Sequence, residues 1–213
     1  MKTVVVPRIE GLETLTLGQL AQLLESRGAR QALDSAAWPE FPYKPVVTVT
    51  LAASETHLFA HFFVRGLGLK ALFAEDNEPV WQDSCVELFI ADADGTGYRN
   101  FEMNCIGTLL SSHQRSRGVD VERITPENAA RVIRLTSLPR EPFAEKEGLH
   151  EWEAAIGIPF GLLGCESRPA SLKANFYKCA DGSRWPHYVS WSPIDTPKPD
   201  FHRPDFFGTL ILE

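Results

Sequence analysis

Glu87, Glu102, Asn100 and Asn104 sit at alternate positions of two short segments joined by a turn. Residues 85–91 read CVELFIA and residues 98–106 read YRNFEMNCI. Period-two alternation sends strand side chains to opposite faces. Val86, Leu88 and Ile90 share one face, and Cys85, Glu87 and Phe89 share the other. On the second segment Phe101, Met103 and Cys105 lie opposite Asn100, Glu102 and Asn104. The Asp- and Gly-rich stretch 92–97 supplies a hairpin turn. Centring the hairpin near Asp94 and Gly95 puts Glu87 opposite Glu102 and Cys85 opposite Asn104. Like charges directly opposite on a sheet are unfavourable. A Lys or Arg, a bound cation, a shared proton or a polyhydroxylated ligand must compensate. Trp81 lies just upstream, and an aromatic ring beside such a polar row is what a sugar needs: carboxylates and amides take hydroxyls, the ring takes an apolar pyranose face. Lys178 is the candidate for the positive charge that two facing carboxylates require. The competing reading of the row is a solvated outer face without a role.

Three other chemistries compete with saccharide binding. Facing Glu87 and Glu102 would bring two carboxyls to about 5 Å, the separation of a retaining glycosidase pair. A flat strand pair makes a platform instead of a cleft, so no catalytic residue is assigned. Haem would need axial Met and His ligands, and the only methionines are Met1 and Met103, the latter on the apolar face. A sandwich that docks a partner through a proline-rich rim is the remaining alternative. The four cysteines, Cys85, Cys105, Cys165 and Cys179, form no CxxC pair and no zinc-spaced Cys/His cluster. They read as reduced, mostly buried thiols, with Cys85 and Cys105 on opposite faces.

The chain has 213 residues, 44% of them hydrophobic, and a net charge of −7. That charge argues against nucleic acid as a partner. Arg115, Arg117 and Arg123 are diluted by Asp120 and Glu122 and read as a solvated loop. No apolar run reaches the ~18–20 residues of a membrane span. The N-terminal residues lack a signal-peptide apolar region, so a cytoplasmic location is expected.

The elements that must hold these residues are mostly strands. Residues 2–6 form a short β segment. Thr16 caps a helix in which Leu17, Leu20, Ala21 and Leu24 share a face, and Gly28 stops it. That helix is expected to cover a sheet. Pro39, Pro42 and Pro45 mark an extended linker containing Trp38 and Tyr43. Strands are expected at 46–51, 57–64, 85–91, 98–106, 108–113, 130–137, 152–158, 172–179, 188–191 and 207–212, with a helical turn at 159–164. In 57–64, Leu58, Ala60, Phe62 and Val64 oppose Phe59 and Phe63, so both faces should be covered. Trp152, between apolar alternates, reads as core. The proline-rich stretch 193–204 (PIDTPKPDFHRP) is either a binding rim or a structural strap. The fold class is mainly β: an antiparallel β-sandwich with one N-terminal helix. A single domain is expected over 1–213, with 1–37 as an extension on a 38–213 core.

Residues 80–90 (VWQDSCVELFI), 98–107 (YRNFEMNCIG), 174–179 (ANFYKC), 189–195 (VSWSPID) and 205–208 (DFFG) resemble the family 9 carbohydrate-binding modules. The resemblance is to a bacterial group within the wider DOMON-like, jelly-roll-like sandwiches. It runs from about Trp38 to the C-terminus and leaves out the N-terminal helix. It implies a non-catalytic sandwich that binds saccharides, in carbohydrate catabolism, with two tryptophans enclosing a terminal sugar. Trp81, six residues before Glu87, matches one of them, and Trp191 is the candidate for the second. The implied ligand set is Trp81, Glu87, Glu102, Asn104, Lys178 and Trp191. Family members can carry structural calcium, but Asp92-Ala93-Asp94-Gly95 holds only a fragment of a calcium loop, so no metal or cofactor is expected.

Overall fold

The computed structural model describes residues 1–213. Its strands are β1 (Thr3–Val6), β2 (Ala29–Ala32), β3 (Val46–Ala53), β4 (His57–Ala71), β5 (Cys85–Ala91), β6 (Tyr98–Asn104) and β7 (Leu109–Gln114). There follow β8 (Glu122–Arg123), β9 (Ile133–Thr136), β10 (Phe143–Pro159), β11 (Ser171–Cys179), β12 (Tyr188–Ser190) and β13 (Gly208–Leu212). The helices are α1 (Leu17–Arg27) and α2 (Pro126–Ala130). One sheet runs β1-β13-β11-β5-β6-β7-β8, with β12 on β11, and the other runs β2-β3-β4-β10-β9. All named ladders are antiparallel except β1–β13, which is parallel.

The two sheets bury one large apolar core between them. Val86, Leu88, Ile90, Phe101 and Met103 enter it from the first sheet, and Leu58, Ala60, Phe62 and Val64 from the second. This is the period-two partition expected of both segments. Phe59 points the other way and packs with Leu20 and Leu24 of α1, Ala52 and Ala155. The helix thus covers the outer face of the second sheet. It begins in a capping box: Thr16 accepts from the Gln19 amide, and the Gln19 side chain accepts from the Thr16 amide at 3.0 Å. Gly28 ends it for a steric reason. A Cβ there would come within 2.6 Å of Thr50 and 2.7 Å of the Leu24 carbonyl, so only glycine lets α1 turn this close to β3.

The expected strand at 130–137 starts later, at Ile133, because Thr125 caps α2 and Pro126 opens it. The short strands β2 and β8 had no alternating signature. The outer face of β5, β6 and β11 is not solvated: Phe89, Tyr98 and Tyr177 lie there beneath Trp38, Phe201 and Phe207. The linker and the proline-rich stretch therefore form a further layer over the first sheet, and the cavity described next opens within it.

Candidate functional site

Glu87 and Glu102 are ladder partners on β5 and β6, and Cys85 pairs with Asn104, the register expected of the hairpin. Both carboxyls form the floor of a cavity of about 340 Å³. Trp81 stands on one wall, carried by a single helical turn over Val80–Gln82. Its carbonyl accepts from the Asp181 amide at 3.0 Å, which ties that turn to the exit of β11. Asp181 and Tyr188 continue the wall. Arg117, from the β7–β8 connection, and Arg123, on β8, face Pro199–His202 of the proline-rich stretch. Arg117 binds Asp200 at 3.0 Å and links those two walls.

The electrostatics follow from burial. Glu87 and Glu102 are each only 4% exposed. Burial pushes Glu102 up to about 7, against the pull of its hydrogen bond from Asn100 and of Arg123. Burial, with Cys179 and Glu102 beside it, raises Glu87 well above the carboxylate range. The like-charge problem is thus met chiefly by protonation, one neutral acid facing a group on the edge of ionising. Burial also lifts Asp181 to about 6, opposed by the Tyr188 hydroxyl. Burial and then Arg117 hold His202 down to about 4, so its neutral ring bonds the Tyr98 hydroxyl at 2.8 Å. Asn100 is locked in place: its Nδ2 donates to Glu102 at 2.7 Å, and its Oδ1 accepts from Ser112 at 2.7 Å and Gln114 at 3.4 Å. Gln114 in turn accepts from the Gly118 amide at 2.9 Å. The floor therefore offers donors and acceptors in fixed positions, beneath an aromatic wall and two guanidinium groups.

Of the six residues singled out from sequence, the cavity brings together Trp81, Glu87 and Glu102. The other three lie elsewhere. Trp191 is fully buried, packs on Phe176 at 5.5 Å and donates its Nε1–H to Gln31, so it has no face to stack on a sugar. Lys178 points away from the carboxylates, because its ladder partner is Val86 while Tyr177 faces Glu87. Its ammonium bonds the Cys179 carbonyl and His187 and lies 6.0 Å over the Trp152 ring. Asn104 donates to Phe73 O and Asp83 and accepts from the Ile106 and Thr108 amides, so it is committed to the fold. Arg115, Arg117 and Arg123 are all exposed, as expected of a solvated arginine loop, and Arg117 and Arg123 also border the cavity. Sequence signals for Asp181 and Tyr188 were present only as a turn and a strand end. Cys85, Cys179 and Glu87 bring two thiols and a carboxyl within 4.8 Å of one another. In the 92–97 turn, Asp92 bonds His113 at 2.8 Å and Asp94 accepts from Thr96, so both carboxylates already have partners.

A family model described as "Carbohydrate-binding family 9" matches residues 18–212. The chain belongs to this family. The match takes in α1, which the motif resemblance had left outside. A candidate carbohydrate-binding protein from Bacteroides uniformis ATCC 8492 shares 34% identity with this family 9 chain. It superposes with a TM-score of 0.94 over 100% of this chain and 99% of its own. A family 9 module from Caldicellulosiruptor kristjanssonii, solved with glucose, shares 11% identity at a TM-score of 0.63, over 100% of this chain and 96% of its own. Solved with cellotriose, a module from the same organism gives 10% identity, a TM-score of 0.63 and coverage of 100% and 94%. These two establish the likeness of fold. No curated protein matches the chain.

Proposed function

We propose that the cavity of this family 9 chain binds a saccharide without transforming it, in the service of carbohydrate catabolism. The observation that carries the reading is the buried Glu87–Glu102 pair beneath Trp81, inside a cavity. A neutral acid donates to one hydroxyl while its partner accepts from another, so adjacent hydroxyls of a ring can be held together. Trp81 takes the apolar ring face, and Asp181, Tyr188 and Arg123 reach groups around the rim. The relatives solved with glucose and cellotriose support this class of ligand. A glycan array read with the wild type beside Trp81→Ala tests it, followed by calorimetry on each hit. Binding that the variant weakens with its fold intact is the expected result. A wild type that binds no glycan overturns the reading.

One observation favours a second reading. Glu87 and Glu102 lie in a cavity and not on an open platform, and Glu102, raised to about 7, has the protonation of a general acid. Both groups nevertheless lie side by side in the floor as ladder partners, so they do not flank a scissile bond. Aryl glycosides are therefore expected to show no turnover. Turnover that disappears in both Glu87→Gln and Glu102→Gln would make the chain a glycosidase.

A further inference from the structure

Beneath Trp81 the outer face of β5 and β11 holds two thiols, Cys85 and Cys179, that saccharide binding does not use. Cys85 and Cys179 are direct ladder partners, and Glu87 is the next side chain on that face of β5. The Cys179 sulfur lies 3.0 Å from Glu87 Oε1, and the three ligand atoms all fall within 4.8 Å of one another. We propose that Cys85, Cys179 and Glu87 bind a thiophilic divalent cation of the Zn²⁺ type, with its fourth coordination position turned towards the cavity.

Four observations carry this. Zinc–sulfur bonds of about 2.3 Å and zinc–oxygen bonds of about 2.0–2.2 Å in a tetrahedron separate neighbouring ligand atoms by roughly 3.5–3.8 Å. The observed spacing, from 3.0 Å up to a limit of 4.8 Å, brackets that separation. The ligands stand on two paired strands, a rigid mounting suited to a metal site. Entry is available, because Cys179 and Glu87 line the cavity while Cys85 lies behind them. The charges close as well. Two thiolates and a carboxylate carry three negative charges, a divalent cation returns two, and the Lys178 ammonium returns the third. Lys178 is 2% exposed and stands directly beside Cys179 in sequence, on the opposite face of β11. An open fourth position is the arrangement of a zinc site that takes water or a ligand hydroxyl, whereas a purely structural site is closed. The cation site shares Glu87 with the saccharide reading, and a titration run without sugar lets either fail alone.

The test is a titration of the reduced, metal-free full chain with Co²⁺ and then Zn²⁺, with no saccharide present. One Co²⁺ per chain is expected to bring a thiolate-to-metal charge-transfer absorption and the intense visible bands of four-coordinate cobalt. Zn²⁺ should displace it and raise the melting temperature. Cys179→Ala and Cys85→Ala are each expected to lose the absorption and the thermal shift, while Cys165→Ala, outside the cluster, keeps both. Circular dichroism reports whether each variant folds. Should either variant fail to fold, the wild-type spectrum still decides. A reduced chain that gives no thiolate–cobalt absorption overturns the proposal, as does an absorption that survives in a folded Cys179→Ala or Cys85→Ala chain.

Discussion

Trp81 and Trp191 show how far residue type can mislead without its environment. Both stand beside polar residues near a strand end, Gln82 after Trp81 and Ser190 before Trp191, yet one lines a cavity and the other is core. Trp81→Ala is expected to keep the melting temperature close to wild type and to weaken saccharide binding roughly tenfold, since stacking contributes about 0.5–1.5 kcal/mol beyond burial. Trp191→Ala should instead destabilise the chain by about 3–5 kcal/mol, as for other buried aromatics, read by denaturant unfolding. Lys178 was misassigned by parity. Strand alternation put it on the face opposite Cys179, but that became decisive only when the register of β11 against β5 was fixed. Glu102 gives a prediction in pH. Burial raises its carboxyl from 4.5 to about 7, so the folded chain keeps a proton that the unfolded chain has lost. Its stability contribution is present below the unfolded value and is lost as pH rises through that window. Asp181, raised to about 6, acts in the same sense, and His202, held down to about 4, acts in the opposite one. Glu102→Gln removes the first effect. The variant's melting temperature should gain on the wild type as pH rises from acid solution to above 7, and a gap independent of pH would refute the assignment.

The hairpin β5–β6 was legible because each strand carries a clean alternation and the turn between them is short. Its pairing of Glu87 with Glu102 came from sequence without error. The walls of the cavity were not legible, since they come from connections with no periodicity: the β7–β8 loop, the turn after β11 and the proline-rich stretch. Arg117 and Asp200 are 83 positions apart, and nothing local in either segment announces their meeting. The loop that carries Trp81 has its own anchor. Asp83 is fully buried and accepts from the Leu72 and Phe73 amides and from Asn104 at 2.9–3.1 Å. Loss of that carboxylate strands three donors, and hydrogen bonds to a charged group contribute about 1.5–3 kcal/mol each. Asp83→Ala is therefore expected to destabilise the chain by at least about 2 kcal/mol by thermal or denaturant unfolding. A near-neutral effect would mean that the segment from β4 to β5 is held chiefly by its apolar contacts.

At the scale of the molecule, the sandwich was readable from strand count and turn spacing, while the role of the proline-rich stretch as a cavity wall was not. The core shared by both sheets argues that they unfold together. Far-ultraviolet circular dichroism and tryptophan fluorescence should therefore trace one coincident transition, and separated midpoints would mean that the sheets melt independently. The parallel pairing of β1 with β13 carries a consequence for how the chain reaches this state. Thr3 to Val6 are matched to Thr209 to Leu212, so two segments at opposite ends of this domain must meet. Until β13 is in place, β1 is an unpaired apolar segment, with Val4 and Val6 awaiting their places in the core. Contacts this distant in sequence slow folding. β1 is thus expected to dock late, onto a β13 already paired with β11.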